Sequence, residues 1–160
     1  MKKNILFPVF LLLVLHITGC KKDKDCKPNP VANEASQIQA YAAANNIAAI
    51  PHASGLYYEI IDPGSGMAAS VTSKISITYT GKLLNGHIFD QQTTPNNTTS
   101  KPAWLLTDLI RGWQIGIPLI KEGGHIRLII PSALAYGCAP YYDIPGNSPL
   151  YFDVQLVDVQ

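Results

Sequence analysis

The side chains in this chain that could carry chemistry are few and scattered. Four histidines, His16, His52, His87 and His125, show no HxH or HxxxH spacing, so no metal site is expected. No GxSxG, Walker or GxGxxG segment occurs, which removes the commonest hydrolase and nucleotide chemistries. Twelve Lys+Arg face eleven Asp+Glu without a basic or acidic block, and nothing favours nucleic acid as a partner. What remains is aromatic. Tyr79, Phe89, Trp113, Tyr136 and Phe152 each fall at the end of an expected element or beside a loop. Strand spacing alone would assign such rings to a hydrophobic core, and lining an apolar pocket is the alternative.

The elements that must position these rings can be read from texture. The 160 residues, 47% hydrophobic and 14% charged, suit one globular domain with appendages. Lys2 and Lys3 precede a short apolar run from Ile5 to Leu15, which reads as a secretory signal, too short for a comfortable membrane span. The run ends Leu15-His16-Ile17-Thr18-Gly19-Cys20, small residues directly before a cysteine, similar to a bacterial lipobox with Cys20 as the acylated residue. Loss of residues 1–19 removes two lysines and leaves ten basic against eleven acidic residues. Lipid, not a polybasic patch, is then the expected anchor. Lys21 after the cysteine points to the outer membrane. Residues 20–32 are charged and proline-bearing, and read as a flexible tether. Cys26 and Cys138 could pair in an exported protein, yet they are far apart and show no framework spacing. Two free thiols are the expectation, with a disulfide as the alternative.

Asn33 to Asn46 reads as a helix capped by Asn33, with Ile38, Tyr41 and Ala42 on one face, and residues 33–53 form this helix and its linker. From Gly55 the texture becomes that of a sheet. Leu56–Ile61, Lys74–Thr80, His125–Ile130 and Leu150–Val159 are strand-like, and Asn85-Gly86 marks a hairpin. Residues 91–102 read as a polar loop. Thr107 is placed to cap a short helix from Leu109 to about Gly116. Four or five strands with one central helix make an α+β domain.

Six segments follow in order: Ile77–Gly81, Gly86–Asp90, Leu109–Trp113, Lys121–Gly124, Ile130–Gly137 and Ile144–Val154. Together they resemble the FKBP-type peptidyl-prolyl cis/trans isomerases over residues 54–160, and the segment ahead of them resembles lipoprotein members. The resemblance implies a twisted antiparallel half-barrel wrapped around one short helix. It implies that Trp113 forms a pocket floor, that Tyr79, Phe89 and Phe152 wall it, and that Leu109 lies alongside. It implies further that the Ile110 N–H and the Tyr136 hydroxyl bind substrate carbonyls, that Asp90 sits at the edge, and that Ile144 lines a flap. No cofactor is needed for such chemistry. The implied partners are unfolded or proline-containing exported polypeptides, met by a monomer in the cell envelope. A non-catalytic chaperone or proline-peptide binding module on the same fold is the second reading.

Two departures from the family pattern stand out. Lys101–Leu106 lacks one aromatic of a Phe-x-Phe-like stretch, with Trp104 supplying the other. The flap reads Cys138-Ala139-Pro140-Tyr141-Tyr142-Asp143 in place of a glycine-rich stretch, and Gly146 stands where a second proline is frequent. Altered substrate preference and inhibitor affinity are expected from both.

Overall fold

The computed structural model describes residues 26–97 and 101–160. Cys20 and the signal-like run lie outside the described residues. A helix α1 (Val31–Ala44) precedes strands β1 (Ile50–Pro51), β2 (Tyr57–Asp62), β3 (Lys74–Leu83), β4 (Ile88–Gln92) and β5 (Trp104–Leu105). A short helix α2 (Arg111–Gly116), strand β6 (His125–Ile130) and strand β7 (Leu150–Val159) complete the chain. The antiparallel sheet runs β1-β2-β6-β7-β3-β4, with β5 pairing to the start of β3. This is the expected α+β half-barrel, with seven strands where texture distinguished four or five.

The two faces of the sheet are covered differently because successive strand residues point to opposite sides. On β6, Ile126, Leu128 and Ile130 face the main core, while Ile129 joins a second cluster with Ile38, Ala42, Tyr57 and Tyr151. Thus α1 packs on one face and α2 on the other. The α2 sequence Arg-Gly-Trp-Gln-Ile-Gly fits its task. A Cβ at Gly112 would stand 2.4 Å from Ile130 Cγ2, and one at Gly116 would stand 2.6 Å from Leu128 Cδ2. Only glycine at both positions lets the helix lie against β6, which turns Trp113 toward the sheet's concave side.

The N-terminal part differs from expectation. The helix starts two residues earlier, at Val31, with Pro30 at the cap position and no side-chain cap. Asn33 is inside the helix. Its neighbour Glu34 is 2% exposed, and its carboxylate accepts hydrogen bonds from the Ser132 N–H (2.7 Å) and hydroxyl (2.5 Å), and from Asn29 Nδ2 (3.2 Å). These bonds hold the chain ahead of α1 beside the loop that follows β6. Cys26 and Cys138 are accordingly joined in a disulfide, against the expectation of two free thiols. Asn147 adds to the clasp by accepting from the Asn29 N–H and donating to the Lys27 carbonyl. Residues 26–30 are therefore tied down, and the expectation of a free tether through residue 32 does not hold there.

Candidate functional site

The concave face of the sheet and α2 enclose a narrow aromatic cleft. Trp113, 4% exposed, lies at its base. Tyr79 from β3 and Phe152 from β7 meet its ring edge-on, with centroids at 5.1 Å and 5.2 Å and interplanar angles of 84° and 83°. Phe89 from β4 meets Phe152 in the same way at 5.6 Å and 87°. Edge-to-face contacts of this kind add about 0.5–1.5 kcal/mol each beyond the buried area. Gly81 on β3 makes room for the arrangement, since a Cβ there would stand 2.8 Å from both the Phe89 and Phe152 rings.

A cavity of about 60 Å³ is lined by Tyr79, Asp90, Leu109, Ile110, Trp113, Tyr136 and Phe152. It abuts a wider cleft of about 450 Å³, which shares Tyr79, Asp90, Leu109 and Tyr136 and adds Trp104 and Asp108. Of the residues singled out in the sequence, Phe89 and Ile144 do not line the small cavity; they line a neighbouring one with Asp90 and Tyr136. Trp104 sits in the wider cleft, its ring 6.2 Å from that of Tyr79.

The polar atoms at the cleft are few and set. The Tyr79 hydroxyl donates to Asp90 Oδ2. Burial, then the hydrogen bond and charge of Asp90, push the Tyr79 pKa well above the usual tyrosine range. Burial, followed by Tyr141 and Asp90, raises that of Tyr136 as well. Both hydroxyls are thus neutral donors at ordinary pH. Ile110 occupies the cap position of α2, with φ −57° and ψ 148°. A cap residue's own N–H stands outside the helical ladder, so it is available at the cleft mouth. The Trp113 indole N–H is buried with no acceptor among the described residues.

Thr107 does not cap α2, which has no side-chain cap. Gln114 instead reaches back, its Nε2 donating to the Leu109 carbonyl (2.8 Å) and the Thr107 carbonyl (3.1 Å), and so fixes the segment that presents Leu109 and Ile110. Asn96 was equally hidden in a stretch read as a featureless polar loop. It is 1% exposed, accepts from the Ile77 N–H at 2.8 Å and donates to the Ile75 carbonyl at 3.2 Å. It satisfies β3 where the pairing of β3 with β7 shifts register between Ser76 and Ile77. No sequence signal marks either residue, because the groups they satisfy are mainly backbone ones.

Other features carry no comparable chemistry. Among the described residues, no three His, Cys, Asp or Glu side chains gather in a way that could hold a metal ion. A larger cleft of about 510 Å³ lies on the opposite side, between α1, the β3–β4 turn and Pro145–Pro149. Its lining is mostly amide, hydroxyl and aliphatic, and it lacks the converging rings and donors of the concave face.

Known proteins resemble this chain both in sequence and in fold. Residues 66–157 match the family described as FKBP-type peptidyl-prolyl cis-trans isomerase. Over 106 residues the chain is 41% identical to the FKBP-type peptidyl-prolyl cis-trans isomerase FkpA of Escherichia coli K12, covering 66% of this chain and 38% of that protein. It is 41% identical over 100 residues to FK506-binding protein 3 of Yarrowia lipolytica, covering 61% and 23%. The crystal structure of Escherichia coli FkpA superposes with a TM-score of 0.67 at 34% identity, over 81% of this chain and 61% of that one. A Pseudomonas syringae peptidyl-prolyl cis-trans isomerase superposes with a TM-score of 0.66 at 27% identity, over 84% and 98%. The matched region thus spans less than half the length of these two curated relatives.

Proposed function

The chain belongs to the FKBP-type peptidyl-prolyl cis-trans isomerases, and from that premise we propose that it accelerates rotation about Xaa–Pro bonds of exported polypeptides in its aromatic cleft. The observation that carries this reading is the small cavity floored by Trp113 and rimmed by two neutral donors, Tyr136 and the cap N–H of Ile110. The proline ring rests on Trp113, between Tyr79 and Phe152, with Leu109 alongside and Phe89 buttressing Phe152 from the neighbouring cavity. The Ile110 N–H and the Tyr136 hydroxyl hold the flanking carbonyls. Asp90 acts at the edge by fixing the Tyr79 ring, and Trp104 and Ile144 contact the peptide further out.

The physics of the reaction asks for little more. Rotation about the peptide bond faces a barrier of roughly 18–20 kcal/mol, because amide resonance must be broken. The twisted state has lost conjugation and is less dipolar than the planar amide, so a dry aromatic site tolerates it better than water does. Donors that grip the peptide on either side keep it in place while the bond turns. No nucleophile, general base or cofactor takes part.

The setting follows from the other end of the chain. Cys20 would carry the lipid that anchors the protein to the outer membrane, and its clients would be proline-containing polypeptides passing through the envelope. The Cys26–Cys138 disulfide supports this reading, since such bonds persist in oxidising compartments. The exposed Tyr141 and Tyr142 beside the cleft favour one competing reading, a chaperone or proline-peptide binding module without turnover. Cis-to-trans isomerisation of Xaa–Pro peptides decides between them. Turnover that falls at least tenfold in Trp113→Leu and Tyr136→Phe, both still folded, is the expected result. Peptide binding with no acceleration by the wild-type protein would leave the binding module.

A further inference from the structure

Beyond Tyr136, the loop between β6 and β7 carries a second cavity, of about 230 Å³, lined in part by Asp90, Tyr136, Tyr141, Tyr142 and Asp143. It shares Asp90 and Tyr136 with the small aromatic cavity, so a peptide seated in one has a neighbouring side chain within reach of the other. Tyr136 and Tyr141 stack with centroids 4.3 Å apart and 10° between planes. The Tyr142 ring stands edge-on to Tyr141 at 4.8 Å and 85°.

The backbone beneath these rings is unusual. Tyr141 and Ile144 exchange N–H···O bonds, both 2.9 Å, which makes Tyr142 and Asp143 the two central residues of a tight turn. Tyr142 has φ +47°. A turn with positive φ at its first central position favours glycine there, and a bulky side chain in that region is strained. Burial does not compensate, because Tyr142 is 91% exposed and Tyr141 47% exposed. Apart from its edge-on contact with Tyr141, neither packing nor local conformation selects a tyrosine at position 142. Strain held at an exposed aromatic beside a cleft points to recognition.

We propose that this cavity is a subsite for a cationic side chain, lysine or arginine, next to the substrate proline; the proposal rests on reading the adjoining cleft as the proline site. The stacking of Tyr136 on Tyr141 covers one face of each, and the faces left open in this pair and on Tyr142 are electron-rich surfaces that attract an ammonium or guanidinium group. Asp90 and Asp143 add two carboxylates, and neither takes part in the ion pairs found among the described residues. An apolar side chain in the same place would strip water from those carboxylates without replacing their partners. An anionic one would be repelled. A cation gains from both features at once.

The test uses the full-length protein and peptides that differ only at the residue flanking proline: lysine, arginine, norleucine, leucine or glutamate. Norleucine keeps the length of lysine without its charge. The expected result is a kcat/KM for the lysine and arginine peptides roughly tenfold above that for norleucine, with glutamate lowest and the excess shrinking as salt is raised. Tyr142→Gly should fold at least as well, turn over the leucine peptide as before, and lose most of the preference for lysine. Asp143→Asn should lose part of it. Equal rates for lysine and norleucine, or an undiminished preference in both variants, would overturn the subsite. Binding of the same peptides, followed by titration, separates the two readings. A lysine preference in affinity without turnover keeps the subsite and removes the isomerase, whereas turnover without preference keeps the isomerase and removes the subsite.

Discussion

The floor of the cleft and the loop at its rim are built on opposite principles. Trp113 and Phe152 are buried among Ile77, Ile117, Ile130 and Val154, and each ring is placed by close packing. The rim loop from Pro131 to Pro149 sends Ile144 into the core and is otherwise held by its own backbone bonds and a few ties from a distant part of the chain. Glu34 takes Ser132, Cys26 takes Cys138, and Lys27 and Asn29 take Asn147. Packing makes a floor insensitive to its surroundings. Ties at isolated points leave the stretch ahead of Ile144, Ala139 to Asp143, with room to carry strained and exposed residues such as Tyr142. Turnover is expected to belong to the first region together with Tyr136, and choice of substrate to the rest of the second.

The largest effect that could break this contrast is loss of a floor ring. Phe152→Ala should cost about 3–5 kcal/mol of unfolding free energy, since it removes a buried aromatic that few neighbours can move to replace. Urea unfolding reads this directly; a cost below about 1 kcal/mol would mean the floor is softer than its packing implies. Next comes the covalent tie. Opening the disulfide by Cys26→Ser with Cys138→Ser should lower stability by about 2–4 kcal/mol, because it closes a loop with a sequence separation of 112. The near-ultraviolet signal of Trp113 should stay unchanged. A shifted Trp113 signal would show that rim and floor are one mechanical unit.

The smallest expected effect is a dependence on pH. The folded-state pKa values of Tyr79, Tyr136, Tyr151 and Tyr41 are all raised, chiefly by burial, above the ordinary 10.0. The fold favours their protonated forms, and the unfolded chain releases those protons first. Stability is therefore full below pH 10 and falls as pH rises beyond it. Thermal unfolding between pH 7 and pH 11, wild type against Tyr79→Phe, should show a shallower decline in the variant (pH values as round working limits, roughly bracketing the tyrosine range). Identical slopes would mean that Tyr79 ionises as freely in the fold as outside it.

The same contrast explains what could be read in the sequence. Tyr79, Trp113 and Phe152 lie in short segments whose order along the chain carries a family pattern, and alternation on β3 and β7 tells which residues face inward. The half-barrel and its central helix were legible for that reason. The clasp was not. Glu34 and Ser132 are 98 residues apart, and an acid in a helix's first turn carries no sign of so distant a partner. The cysteines were visible, but pairing is decided by where α1 docks, which no local spacing encodes. Gln114 and Asn96 leave no trace in the sequence because each serves mainly backbone groups, which almost any residue would present.

The most direct test of the central claim is two-dimensional NMR exchange on a Leu–Pro peptide with a substoichiometric amount of the protein. Exchange cross-peaks between cis and trans forms, with shifts at Tyr79, Trp113 and Phe152 and neither seen in Trp113→Leu, are the expected result. Shifts at the same residues with exchange no faster than in the free peptide would contradict it.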